Sequence, residues 1–266
     1  MKGIILAGGN ATRLYPNTAQ ISKQLLPVYK APMIFYPLNI LIRASIKEIL
    51  IIVSPEHSGK FINLLDPLFH SYGIKIFSKI QEKPRGISEA FILAEPFINN
   101  ENVTLILGDN IFQDVNTLVG NIKNFQEGAH IFLKKVSQPQ RFGVAEIKKG
   151  IIYNIKEKPR RPKSNWAITG AYIYDNQVVN LAKKLKPSTR GELEITDLHN
   201  FYLKQKQLRY SYLKGSWLDA GTMDSYLDAC LIARRKKLYD KFDPIILKAI
   251  KKGEERFKKQ AQKMLE

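Results

Sequence analysis

Residues 3–9 read Gly-Ile-Ile-Leu-Ala-Gly-Gly, an apolar run that ends on two glycines and passes through Asn10-Ala11-Thr12 to a single arginine, Arg13. An apolar run without alternation is the pattern of a strand covered on both faces, as in a parallel sheet. Further runs at 49–53, 74–80, 103–107 and 131–133, with helical patterns between the earlier ones, predict an α/β fold with a mostly parallel central sheet flanked by helices. In such sheets ligands sit in the crevice beyond the carboxyl ends of the strands. Gly8 and Gly9 let backbone N–H groups approach an anion there with no Cβ in the way, and phosphate is the expected guest.

Neither common phosphate loop fits. A P-loop ends in Gly-Lys-Ser/Thr, where this chain has Ala11-Thr12-Arg13. A dinucleotide fingerprint needs a third glycine opening a helix and an acid about 20 residues on. Instead, Lys23 follows in the segment Ile21-Ser22-Lys23-Gln24-Leu25-Leu26-Pro27-Val28. Two cations near one glycine loop suit a polyphosphate, because arginine offers a planar fork and lysine a mobile point charge. Asp109 ends the apolar run 103–107 after a glycine, and Asp219 follows the apolar pair Trp217-Leu218. Mg²⁺ is expected where one or two carboxylates meet substrate phosphates, although either aspartate alone also reads as a turn or helix cap.

The segments Gly8-Gly9-Asn10-Ala11-Thr12-Arg13 and Ser22-Lys23-Gln24-Leu25-Leu26-Pro27-Val28 resemble the G-G-x-G-T-R and S-K-x-L-L-P-V opening of the sugar nucleotidyltransferases. The resemblance continues in order through Pro32-Met33-Ile34, Leu107-Gly108-Asp109-Asn110-Ile111-Phe112 and Arg141-Phe142-Gly143-Val144. Beyond these it takes in Glu157-Lys158-Pro159, Thr169-Gly170, Arg190-Gly191-Glu192-Leu193-Glu194-Ile195-Thr196-Asp197 and Trp217-Leu218-Asp219-Ala220-Gly221-Thr222, reaching about residue 230.

The resemblance implies a Rossmann-like nucleotidyltransferase fold over 1–230, its nucleotide-binding part at about 1–112 and its sugar-binding part at about 113–230. It implies Mg²⁺-dependent transfer of dTMP from dTTP to α-D-glucose 1-phosphate with no covalent enzyme intermediate, feeding deoxysugar synthesis of the dTDP-rhamnose kind. Another base, such as that of UTP, or another sugar 1-phosphate is the alternative. It also implies a cytoplasmic homo-oligomer, with a tetramer expected. By resemblance Leu6, Gly8, Gly9, Thr12, Arg13, Lys23, Gln24, Gln81, Gly86 and Asp109 face the nucleotide. Asn110, Gly143, Glu157, Lys158, Ile168, Thr169, Gly170 and Arg190 face the sugar phosphate. Arg13, Lys23, Asp109 and Lys158 carry the catalytic roles, and Asp109 with Asp219 holds the metal.

Several of these positions have a chemistry of their own. Gln81 closes a predicted strand, and its amide can both donate to and accept from a pyrimidine edge. Glu157 can accept two hydroxyl protons from a hexose; Gly143 equally reads as a strand start, and the acids of 190–197 as caps of the following helix, the segment itself serving as a pocket wall and not in catalysis. The chain departs from the family pattern at Ala11, where glycine is usual, and at Arg85, Ser88 and Glu89. If position 11 has positive φ, alanine there costs roughly 1 kcal/mol and the loop shifts.

At 266 residues and 44% hydrophobic the chain can bury the core of one α/β domain. A single cysteine, Cys230, rules out an internal disulfide, and neither a secretory leader nor a membrane span is expected. Ser54-Pro55-Glu56 predicts a helix start, and Lys149-Gly150 the turn of a small hairpin insertion. Residues 231–266 form a short basic helical extension with 12 basic and five acidic residues and an apolar stripe through Ile246, Ala249, Ile250, Phe257 and Ala261. That extension is shorter than the family's, so feedback regulation by a nucleotide sugar is not expected. The net charge of +18 suits anionic substrates; nucleic-acid binding is the rival reading, though no recognised nucleic-acid module is present. Retention on immobilised DNA or RNA should be lost near physiological salt, and retention there would favour the rival.

Overall fold

Each of the predicted apolar runs forms a strand of one nine-stranded sheet. The computed structural model describes residues 1–9 and 11–263; the Ala261 member of the predicted stripe lies outside the described side chains. Along the chain, β1 (Lys2–Ala7) leads through the glycine loop to the ribbon β2 (Pro27–Val28) and β3 (Ala31–Pro32). There follow α1 (Phe35–Arg43), β4 (Glu48–Val53), α2 (Ser58–Phe69) and β5 (Lys75–Ile80). Next come α3 (Glu89–Leu93), α4 (Glu95–Ile98), β6 (Val103–Leu107), β7 (Asn110–Phe112), α5 (Val115–Lys123) and β8 (Ala129–Lys135). The hairpin β9 (Val144–Lys148) and β10 (Ile151–Lys156) precedes β11 (Trp166–Tyr174), α6 (Val178–Ala182), α7 (Ile195–Lys204), β12 (Leu208–Tyr212), β13 (Trp217–Asp219), α8 (Met223–Arg235) and α9 (Pro244–Lys263).

The strands β6, β1, β4 and β5 are parallel neighbours, which the crossover helices between them require. On β1, Ile5 and Ala7 join one core with α1, α2, α5, α8 and α9, while Ile4 joins a second core with α3, α4, α6 and α7. Both faces are thus covered, as the unalternated apolar runs predict. The antiparallel β11 links this half to the rest. One of its edges follows β8; the other meets β9 at Ala167 and β6 only from Ala171 onward. Between those contacts the β8 register also breaks, so residues 168–170 sit at a split in the sheet.

The hairpin turn falls at Lys149 and Gly150, both with positive φ (48° and 76°). Ser54 makes no capping bond through its side chain; Pro55–His57 forms a 3-10 turn, and α2 begins after it. The extension is helical, and Phe242, Ile246 and Ala249 pack into the first core, whereas Phe257 stays 72% exposed.

Two buried histidines stand out against this apolar background. His199 on α7 lies among the rings of Tyr172 and Tyr174, and neither of its ring nitrogens has a protein partner; burial pushes its pKa down to about 3. Burial, aided by the Arg209 charge, pushes His130 down to about 4. Both folded values lie below the ordinary 6.5, so the unfolded chain takes up these protons first. Stability is therefore intact above about pH 6.5 and is lost as pH falls toward the folded values. Between pH 7 and pH 5 each histidine should cost about 2 kcal/mol. Denaturant titrations should show that decline, and His199→Phe should remove roughly half of it; an unchanged slope in the variant would mean that His199 is solvated.

Candidate active site

The Leu6 carbonyl accepts a hydrogen bond from the Gly108 N–H (2.9 Å), so the chain leaving β1 runs beside the chain leaving β6. This places Gly8 and Gly9 next to Asp109. Gly9 has a φ of 101°, which the loop's path reserves for glycine, and Gly8 leaves space that the Gln81 side-chain oxygen occupies, 2.8 Å from where a Cβ would lie. The loop turns at Ala11, which adopts the left-handed region (φ 44°, ψ 32°), and presents Thr12 and Arg13 on a short 3-10 turn. A second such turn, Lys23–Leu25, aims Lys23 at Asp109, with which it forms an ion pair. Gln24 is buried against Gly108 and accepts from the Ser22 hydroxyl (2.5 Å). Gly86 (φ 102°) is pressed on the Leu193 backbone, where a Cβ would come within 2.5 Å of the carbonyl oxygen.

The two aspartates meet on a ribbon of β7 and β13 that pairs Asn110 with Asp219, while the Ala220 N–H donates to the Asp109 carbonyl (2.9 Å). Burial works against the Asp109 charge, but the Lys23 ammonium holds its carboxyl below the usual range, helped by a hydrogen bond from the Asn110 amide (3.0 Å). Asp219 is pushed up to about 6 by burial and by the Asp109 charge, against the pull of Lys23, Arg13 and Arg141. An all-oxygen pair of buried acids, one destabilised by the other, fits a hard divalent cation that completes its shell with phosphate oxygens. Among the described residues no cluster of three or more His, Cys, Asp or Glu could hold a metal by itself, so Asp109 and Asp219 fit Mg²⁺ only in company with substrate.

From these acids a cavity of about 370 Å³ extends into the split beside β11. Its wall includes Arg13, Asn110, Arg141, Gly143, Glu157, Lys158, Ile168, Gly170 and Asp219. The Asn110 side-chain oxygen accepts from the Gly170 N–H (3.0 Å) and the Trp217 indole (2.6 Å), which satisfies backbone left unpaired by the sheet split. Gly143 has no room for a side chain, since a Cβ would lie 2.7 Å from Thr196. Burial pushes the Glu157 carboxyl up, opposed by Lys158 (3.7 Å), raised further by Glu194 and opposed by Arg190 (3.8 Å); Thr196 donates to it (3.2 Å). Lys158 itself has a φ of 36°, a backbone strain that turns its side chain out of the strand end toward the cavity.

A model of the nucleotidyl transferase family matches residues 2–236. This chain is a member of that family. A glucose-1-phosphate thymidylyltransferase of Neisseria meningitidis is 50% identical over 234 residues, covering 86% of this chain and 81% of the relative. One from Mycobacterium tuberculosis is 46% identical over 239 residues, covering 88% and 82%. A Bacillus anthracis crystal structure described as a glucose-1-phosphate thymidylyltransferase, in complex with sucrose, superposes with a TM-score of 0.82 at 46% identity, covering 88% of this chain and 95% of that one. A UDP-glucose pyrophosphorylase bound to UDP-glucose, only 22% identical, shares the fold with a TM-score of 0.76 over 88% of this chain and 98% of that one.

Most of the residues singled out in sequence thus converge in this nucleotidyl transferase. Thr169 is not in the cavity wall: it is fully buried on the face of β11 opposite Ile168 and Gly170. Arg190 is not in the wall either; it donates to Glu194 at 2.9 and 3.0 Å and lies 3.8 Å from Glu157 of the wall. Sequence reasoning gives no role to Arg141, Tyr172 or Trp217, which line the cavity, whereas Thr196 lies there as part of the 190–197 segment expected to wall the pocket. Arg141 carried a signal, as the cation of the Arg141-Phe142-Gly143-Val144 motif; the others face inward only through contacts distant in sequence.

The left-handed Ala11 carries a penalty of about 1–2 kcal/mol, partly offset by the backbone freedom that glycine returns to the unfolded chain. Ala11→Gly should therefore stabilise the protein by about 0.5–1 kcal/mol in denaturant titration. A destabilised variant would show that the Ala11 methyl contributes packing that outweighs the strain.

Proposed function

We propose that this nucleotidyl transferase joins dTTP and α-D-glucose 1-phosphate into dTDP-glucose and pyrophosphate. The observation that carries the reading is a cavity lined by Arg13, Arg141, Lys158 and Asp219, with the Lys23–Asp109 ion pair next to Asp219, in a chain about half identical to enzymes of that name. Arg13 and Lys23 flank the loop at the triphosphate end, where the pyrophosphate charge develops as it leaves. Lys158 and Arg141, which also line the cavity, hold the sugar phosphate, whose oxygen attacks the α-phosphorus as the bond to the β-phosphate oxygen breaks. Asp109 and Asp219 hold Mg²⁺, which supplies charge neutralisation on the phosphates when bound. Glu157, oriented by Thr196, accepts hexose hydroxyls, while Gly143 and Gly170 let Thr196 and Asn110 pack against the backbone of the cavity wall. No side chain needs to form a bond to substrate; alignment and preorganised charge supply the rate.

In this reading the enzyme works in the cytoplasm as a homo-oligomer, a tetramer, on a deoxysugar route. Exposed Leu227 and Leu231 on α8 and Phe257 on α9 support self-association, and no described helix is long and apolar enough to cross a membrane. Pyrophosphate release with Mg²⁺ tests the reaction across dTTP, UTP, dCTP, GTP and ATP, each with glucose 1-phosphate. Release should be fastest with dTTP. Asp109→Asn should lower kcat by about 10²–10³-fold, as loss of a preorganised charge does. Lys158→Ala should raise KM for glucose 1-phosphate about 10- to 100-fold, the worth of a charge-assisted hydrogen bond. Silence with all five nucleotides would refute the assignment.

A further inference from the structure

Gln81 is buried at the end of β5, and its amide nitrogen donates to Glu89 at the start of α3 (2.7 Å). A carboxylate only accepts, whereas an amide presents a donor on one side and an acceptor on the other. Glu89 therefore fixes which way the Gln81 amide points. The nitrogen is held toward α3, and the oxygen is turned over Gly8, where the missing side chain leaves it space. An unrestrained amide could present either edge at little cost.

Glu89 is in turn held in place. The Arg85 N–H lies 3.4 Å from the same carboxylate oxygen, the Arg85 guanidinium lies 3.7 Å from the other, and the Glu89 side chain is only 13% exposed. The intervening loop is anchored from outside: Leu193 donates to the Arg85 carbonyl (2.7 Å) and accepts from Ser88 N–H (3.3 Å), while Gly86 leaves no space for movement against Leu193. The carboxylate thus reaches Gln81 from a fixed platform.

We infer that Glu89 is a positioning residue for base selection: by locking the Gln81 amide with its oxygen toward the glycine loop, it selects pyrimidines that carry an N3–H and rejects those whose N3 is an acceptor. Thymine and uracil have that N–H; cytosine has a lone pair there, which would face the Gln81 oxygen with no proton between them. The inference rests on the proposed reading that this loop binds a pyrimidine nucleotide. Glutamine at position 89 would remove the lock, because it can donate or accept and so meets either orientation of Gln81.

Binding of dTTP, UTP and dCTP in Mg²⁺, measured calorimetrically without sugar phosphate, tests the inference apart from turnover. The unaltered protein should bind dTTP and UTP and discriminate against dCTP. Glu89→Gln should narrow the dTTP-to-dCTP ratio by about tenfold or more, the worth of one oriented hydrogen bond, with the change falling on Kd and KM rather than kcat. In a Gln81→Ala background the same substitution should add nothing, because Glu89 acts through Gln81. Arg85→Ala, which leaves the carboxylate in place, should hold the ratio within about twofold, as loss of an exposed ion pair does. The inference fails if Glu89→Gln keeps the ratio, if it narrows the ratio equally without Gln81, or if Arg85→Ala narrows it as much. Failure of the unaltered protein to bind any of the three nucleotides would instead overturn the nucleotide reading itself, and this inference with it.

Discussion

The site depends on the register with which four parallel strands end together. Leu6 of β1 stands opposite Ile52 of β4 and Leu107 of β6, and Val53 stands opposite Ile80 of β5. Because the carboxyl ends are level, the residues that follow each strand are neighbours: the glycine loop after β1, Gly108 and Asp109 after β6, and Gln81 after β5. Main-chain bonds continue the sheet for one more residue on both sides, from Gly108 to Leu6 and from Gln81 to Val53. A shift of one residue in a pairing of β1, β4 or β6 would turn the side chains of that strand to the other core, so their burial on both faces fixes the register and with it the site.

On this platform the charges are unevenly satisfied. Asp109 is satisfied by Lys23 and Asn110, but Asp219 is buried beside a like charge. Burial pushes Glu157 up in spite of Lys158, and the Lys158 backbone is strained. A like-charge neighbour, a burial-raised acid and backbone strain gathered at one cavity are the pattern expected of a functional site and not of a purely structural one.

The parallel half of the fold was legible because unalternated apolar runs have few other uses. The glycine loop, Arg13, Lys23 and the aspartates were legible because phosphate chemistry demands those residue types in one place. Local sequence failed where the decisive contact is remote. The Trp217 indole satisfies Asn110 across 107 positions, and nothing near Trp217 announces it. Thr169 was misjudged because strand alternation around the sheet split, not the Thr-Gly pair itself, decides which side chain faces the cavity. Ser54 looks like a cap, yet a 3-10 turn satisfies that bend through its backbone. Glu89 reads as a departure from a pattern, and only its distance to Gln81 gives it meaning.

The bridge at Leu193 joins more than two loops. In the proposed reading its partners Arg85 and Ser88 belong to the base side, and one residue on, Glu194 receives the Ser88 hydroxyl and the Arg190 guanidinium and raises Glu157 on the sugar side. The two recognition surfaces therefore share a single wall. A change that displaces the base loop also displaces the floor on which the hexose rests. Nucleobase and sugar preference on this scaffold are not independent dials, and a chain diversified at one surface alone explores only those variants that the other surface can tolerate.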